Sequence, residues 1–127
     1  MEKIIKHQKT VNNNFYIISY LYRILNILNK NIASKEKYEK ILPVVEYIAT
    51  TFKETYPVSH YAKLCAMSET NFRLLFKELM GVTPIEYRTN LRVRCVEELV
   101  LDGAPITEAI FIAGFNNPTY YYRIKRK

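Results

Sequence analysis

Along most of this 127-residue chain, apolar side chains return every three or four positions, the spacing that lines one face of an α-helix. The first stripe runs through Phe15, Ile18, Leu21, Tyr22, Leu25 and Leu28 and predicts a helix over residues 15–29. Residues 29–40, rich in Asn, Lys and Glu, read as a polar linker. A second stripe of Ile41, Val44, Val45, Ile48 and Phe52 predicts a helix beginning near Pro43, since proline suits a first helical turn. Tyr56-Pro57 should stop it, because proline disfavours a helical residue before it.

The next segments repeat one arrangement. A short helix over about residues 59–65 is expected to bury Tyr61, Leu64 and Cys65, with the small Ala62 where another helix comes close. Ser68 is placed to cap a following helix by accepting from a free backbone amide. That helix turns Phe72, Leu75, Phe76 and Leu79 inward and Thr70, Arg73, Leu74 and Lys77 to another face, and Gly81 closes it in a left-handed conformation. Thr83-Pro84-Ile85-Glu86 is a helix start, with a capping threonine, a proline at the first position and a glutamate three residues on. The helix it opens should run to about Leu101, roughly 27 Å. Tyr87, Leu91, Cys95 and Leu99 form its core face, and Arg88 and Arg92 a second line. Then the order recurs: Ile106 to Ala113 as a short apolar helix, Gly114 in a turn, Phe115 as a plug beneath it, and Asn117-Pro118 as cap and first residue of a last helix.

A short helix, a tight turn, a capping residue and a two-faced helix make a helix-turn-helix, here expected at residues 58–80 and again, incompletely, at 105–127. The predicted fold class is therefore all-α: two helix-turn-helix units joined by a long linker helix, plus an extra N-terminal helix. Residues 1–40 would be an N-terminal helix and linker, and residues 41–127 the domain holding both units. The helix over 15–29 has two readings at this point: one packed on the main domain, or a contact surface for another domain or chain.

Composition adds a partner class and removes others. The chain is 49% hydrophobic with three Gly, enough to bury a core, and its net charge of +7 suits a polyanion. The charge is uneven, with eight Lys/Arg against three acids in residues 1–40, four against four in 41–80, and seven against five in 81–127. Base reading in the middle segment would thus depend on particular side chains. Cys65 and Cys95 lack metal-ligand spacing and read as free buried thiols. His7 and His60 stand apart from any acid or thiol cluster, Glu97-Glu98 point apart on one helix, and no phosphate loop or hydrolase motif is present, so no enzyme, metal or cofactor is expected. The tyrosine run at 120–122 cannot face one way on a helix. No signal peptide follows Met1, and the apolar stretch 15–28 is short and holds Arg23 and Asn26, so a cytoplasmic protein with no membrane contact is expected.

These residues resemble the DNA-binding domain of the AraC/XylS family of bacterial transcription regulators. The resemblance rests on Ala66-Met67-Ser68, Phe76-Lys77, Gly81, Thr83-Pro84 with Glu86-Tyr87, Leu91-Arg92, and Gly114-Phe115-Asn116-Asn117-Pro118-Thr119-Tyr120, across roughly residues 41–127. It implies two helix-turn-helix units that bind an asymmetric promoter site, with an effector or dimerisation domain commonly preceding them. Residues 15–30 look like the last helix of such a domain, and a small-molecule effector is not expected within this chain. The chain also departs from the family pattern. It stops at Lys127 before the usual closing turn and helix, as though shortened at both ends, which should leave Tyr121 and Ile124 partly uncovered. Lys125 replaces a phenylalanine, Ala109-Ile110 reverses the usual large-then-small pair, and Leu74 stands where a polar residue is common.

The expected partner is double-stranded promoter DNA, read in the major groove by Ser68, Thr70, Asn71, Arg73, Leu74 and Lys77 of the first unit and Asn117, Pro118, Thr119, Tyr120 and Arg123 of the second. Thr70, Asn71 and Arg73 would lie near bases and Lys77 near phosphate, with the first unit carrying most of the binding. The alternative is a non-binding interaction protein that pairs through residues 15–29 with a full-length regulator and antagonises it; in either case residues 15–29 are a candidate surface for a homo- or hetero-dimer.

Overall fold

The computed structural model describes residues 38–126 continuously, with Ile17, Tyr20, Leu21, Arg23, Ile24, Leu25 and Glu36 before them. Among the described residues there is no strand, so the fold is all-α as predicted. From residue 42 onward six helices succeed one another: α1 (Leu42–Thr51), α2 (Val58–Leu64), α3 (Glu69–Met80), α4 (Pro84–Leu101), α5 (Ile106–Ile112) and α6 (Pro118–Lys125). Of the N-terminal stripe, Leu21 and Leu25 are helical, whereas Phe15, Ile18, Tyr22 and Leu28 lie outside the described residues.

The core forms two clusters. The first gathers Ile41, Val44, Val45 and Ile48 of α1 and its start, Tyr61, Ala62 and Cys65, the inward face of α3, and Tyr87 at the start of α4. The second gathers Val96 of α4, Ala109, Ile110 and Ala113, the plug Phe115, and Tyr121 of α6. Helix α4 spans both. Its 18 residues follow the N-cap Thr83, whose hydroxyl accepts from the Glu86 amide at 3.1 Å, with Pro84 in the first turn.

Several expectations need correction. The polar linker is partly helical at Glu36, Tyr38 and Glu39, because Tyr38 packs on the first cluster and its hydroxyl donates to Glu78 Oε2 at 2.8 Å. Leu64, expected inside, is 52% exposed: α2 is a two-turn helix at the surface, and Tyr61, Ala62 and Cys65 already fill its inner side. Helix α1 ends at Thr51, well before Pro57, and Phe52 is only half-buried. The hydroxyls of Thr50 and Thr51 both donate back to the Tyr47 carbonyl, and side chains of α4 take up the carbonyls that follow. On α4, Leu91, Cys95 and Leu99 are half-buried, and the buried positions are Pro84, Tyr87, Arg88, Arg92 and Val96. The helix therefore turns its second line, arginines included, toward the interior.

The N-terminal helix touches the first cluster through Tyr20 and Ile24, and the Arg23 guanidinium lies where a Cβ on Gly81 would stand. Ile17, Leu21 and Leu25, four residues apart, remain 52%, 48% and 59% exposed. No described helix is long and apolar enough to cross a membrane.

Candidate nucleic-acid interface

The first unit is built by a tight exit from α2. Cys65 ends the helix, Ala66 adopts a left-handed φ of 55°, and the Met67 amide donates to the Ala62 carbonyl at 3.0 Å. The chain then extends at Ser68, whose side chain accepts from the Asn71 amide at 3.2 Å and so starts α3. Ser68 is thus occupied as a cap. Helix α3 has two sharply different sides. Phe72, Leu75, Phe76, Leu79 and Met80 are buried, with Phe76 packed between the rings of Phe72 and Tyr87. Thr70, Asn71, Arg73, Leu74 and Lys77 are all exposed, and their spacing puts them on the opposite side. Gly81 closes the helix at φ 79°.

Within that outer face, Arg73 Nη2 donates to Glu69 Oε1 at 2.6 Å, one helical turn back. Both side chains are about half exposed, so the contact costs little to break. Glu69 was not among the residues singled out from sequence, although an acid four positions before a basic residue is a readable signal. Leu74 is 61% exposed, a lone apolar side chain among polar ones.

The second unit repeats this construction with one residue more in the turn. Gly114, at φ 110°, matches Ala66, and the Phe115 amide donates to Ile110 at 3.2 Å as Met67 does to Ala62. The Asn117 side chain accepts from the Tyr120 amide at 3.0 Å, so it too is a cap, and Pro118 takes the first turn of α6. Thr119, Tyr120 and Arg123 are exposed and Pro118 is half-buried. The Tyr120 ring leans on Phe115, with centroids 6.0 Å apart.

The expectation that Tyr121 is partly uncovered is overturned: it is 5% exposed, set edge-on against Phe115. Lys125 contributes to this closure by donating to Glu97 Oε1 of α4 at 2.9 Å, which ties the end of α6 to the linker helix and raises the lysine pKa. The reversed pair Ala109-Ile110 is accommodated with both residues at 0% exposure. The tyrosine run splits as expected, Tyr120 and Tyr122 outside and Tyr121 within.

Sequence reasoning missed the role of Arg88 and Arg92. Arg88 Nη1 donates to the Tyr56 carbonyl at 2.7 Å and to the Tyr61 hydroxyl at 3.1 Å. Arg92 Nε donates to the Phe52 carbonyl at 2.6 Å, and its Nη2 to the Glu54 carbonyl at 2.9 Å and Thr55 Oγ1 at 3.1 Å. Burial, and then the charge of Arg88, lower the Arg92 pKa from its usual value. Elsewhere His60 lies against Tyr56 at 4.4 Å with Tyr47 Oη 3.0 Å from its Nε2. The two cysteines are unbonded to each other, and burial pushes the Cys65 thiol pKa up to about 11. Among the described residues no group of three His, Cys, Asp or Glu is arranged to hold a metal ion.

Comparison with known proteins bears on the same region. A family model described as a helix-turn-helix domain matches residues 61–127, more than half of the chain. The regulatory protein ada of Salmonella typhimurium (strain LT2) is 40% identical over 62 residues, covering 49% of this chain. The match spans 18% of that protein's own length. No solved structure matches the chain.

Proposed function

The chain belongs to the AraC-type helix-turn-helix family of DNA-binding transcription regulators, and from that premise we propose that it reads a promoter sequence in the major groove with α3 and α6. The observation that carries this reading is the division of α3: one side buried in the core, the other offering Thr70, Asn71, Arg73, Leu74 and Lys77 on a capped helix. Base edges are read by the first turns of such a helix. Arg73 suits the paired acceptors of guanine, Asn71 those of adenine, and Leu74 a thymine methyl. Lys77, further along, is the phosphate contact, and Ser68 sets where the helix begins. Thr119, Tyr120 and Arg123 of α6, after the Asn117-Pro118 start, form the second head, with the first unit carrying most of the discrimination. Residues 41–127 act as the DNA-binding domain.

Selection from a random duplex pool, followed by two variants, tests this. Arg73→Ala should relax preference at one position, since a bidentate arginine discriminates by about 1–3 kcal/mol. Lys77→Ala should weaken all sequences alike and reduce the salt slope by about one. Equal losses on selected and random DNA for both variants would reject the assignment.

A second activity is favoured by the exposed ridge of Ile17, Leu21 and Leu25. We infer that residues 15–29 pair with a second copy or a related regulator, which makes the chain a partner or an antagonist of that regulator. Sedimentation tests this: Leu21→Glu should leave a monomer where the parent associates, and a monomeric parent would exclude self-pairing.

A further inference from the structure

We propose that the segment Phe52–Tyr56 is a clamp that fixes the two helix-turn-helix units relative to each other, and that Arg92 is thereby a positioning residue for the spacing of the two half-sites. This rests on the two-headed reading above and goes beyond it by naming what sets the distance and angle between the heads.

Three groups converge on this short segment. Arg92 lies on α4 between Tyr87, in the first core cluster, and Val96, in the second. It is only 7% exposed, and its planar fork takes three acceptors in one loop: Phe52 O, Glu54 O and Thr55 Oγ1. Arg88, one turn earlier, holds the end of the same loop at Tyr56. From the other unit, the turn at Gly114 comes against the same place: a Cβ there would stand 2.7 Å from the Lys53 carbonyl oxygen and 2.9 Å from Arg92 Nε. The loop that leads from α1 into the first unit, the linker helix and the second unit's turn thus meet at one guanidinium.

Position along DNA is what such a junction governs. Inserting one base pair between half-sites moves the second by roughly 3.4 Å and turns it by about 35°. A clamped pair of heads cannot follow that change, whereas a pair joined by α4 alone can bend toward it. Arg92→Lys keeps the charge but loses the three-way fork.

The experiment has a structural arm and a DNA arm. Spin labels carried on unnatural amino acids at the exposed Lys63 and Glu108 report the distance between α2 and α5. The parent should give one narrow distribution and Arg92→Lys a broad one. On selected DNA, a one-base-pair insertion should weaken the parent at least tenfold and Arg92→Lys by threefold or less, with base preference inside each half-site unchanged. A broad distribution in the parent, tolerance of the insertion by the parent, or a variant as narrow and as strict as the parent would each overturn the clamp. If Arg92→Lys fails to fold, the parent's two measurements decide. A narrow distribution in a parent that favours no second half-site at any spacing would instead show the two-headed reading to be wrong, and the spacing role would fall with it.

Discussion

Substituting the turn glycine of the second unit puts the junction to a quantitative test that needs no DNA. Gly114 has a φ of 110° and a neighbouring backbone at 2.7 Å, whereas Gly103 has a φ of 99° and nothing within 4 Å of its notional Cβ. Alanine at either position incurs the strain of a left-handed residue, about 1–2 kcal/mol. Each also gains about 0.4–1 kcal/mol from a less flexible unfolded chain. Gly103→Ala should therefore destabilise by no more than about 1.5 kcal/mol. Gly114→Ala must in addition move the Lys53 backbone or Arg92, an overpacking cost of about 1–3 kcal/mol. The two variants should thus differ by about 1–3 kcal/mol, or roughly 4–20 °C in Tm for a domain of this size. Ala66→Gly is the reverse control: Ala66 is strained at φ 55°, so the change should be neutral or stabilising by up to about 1 kcal/mol. Urea unfolding followed by far-ultraviolet circular dichroism measures all three. If Gly114→Ala and Gly103→Ala agree within about 0.5 kcal/mol, the turn does not abut the Lys53 segment and the contact is refuted.

Other consequences follow from single residues. Phe76, at 0% exposure between Phe72 and Tyr87, should cost about 3–5 kcal/mol on change to alanine, and a Tm within two degrees of the parent would misplace the inner face of α3. Glu69→Ala frees Arg73 and removes a negative charge from the reading face, so affinity for random duplex should rise while discrimination falls; titrations against selected and random DNA measure both. Cys65, buried and with its pKa raised to about 11, stays protonated at pH 8, so it should resist a thiol reagent that labels the half-buried Cys95. Equal labelling rates under native conditions would contradict the burial. The raised thiol pKa also has a sign: the folded state disfavours thiolate, so this residue's contribution to stability is lost as pH climbs from about 9 toward 11, a loss that Cys65→Ala should abolish.

Much of the fold is legible because it rests on local rules. Ser68, Thr83 and Asn117 cap the helices that follow them, Pro84 and Pro118 start theirs, and Gly81 and Gly114 sit where a left-handed residue is required. These signals act over three or four residues and need no knowledge of the rest. The outer face of α3 is legible for the same reason, since helical spacing alone separates Thr70, Arg73 and Lys77 from Phe72 and Phe76. What was not legible depends on distant partners. Leu64 is apolar and stays outside, because α2 lies at the surface and no described element covers that side. The sequence pattern leaves Tyr121 partly uncovered, but Phe115 shields it and the Lys125–Glu97 pair closes α6 onto α4.

The arginines of α4 show why charge misleads a reading of this kind. A pattern of apolar positions places Tyr87, Leu91, Cys95 and Leu99 inward and sets Arg88 and Arg92 on a second line apart from that core face. Yet a helix that ends early, as α1 does at Thr51, leaves carbonyls that need donors, and the best nearby donors are guanidinium groups. Five hydrogen bonds from two arginines then offset part of the desolvation that burial imposes on them, with the Arg88 Nε left buried without an acceptor. The consequence reaches the function. Of the chain's positive charge, these two residues are unavailable to DNA, and the cations left for contact on the reading helices are Arg73, Lys77, Arg123 and Lys125, with Lys125 already held by Glu97. On the proposed reading, specific binding would lean on hydrogen bonds and apolar contacts from α3 more than on bulk electrostatics. On that reading α3 and α6 neutralise about two phosphates, through Lys77 and Arg123, and a shallow salt slope is the expectation for their share of the binding.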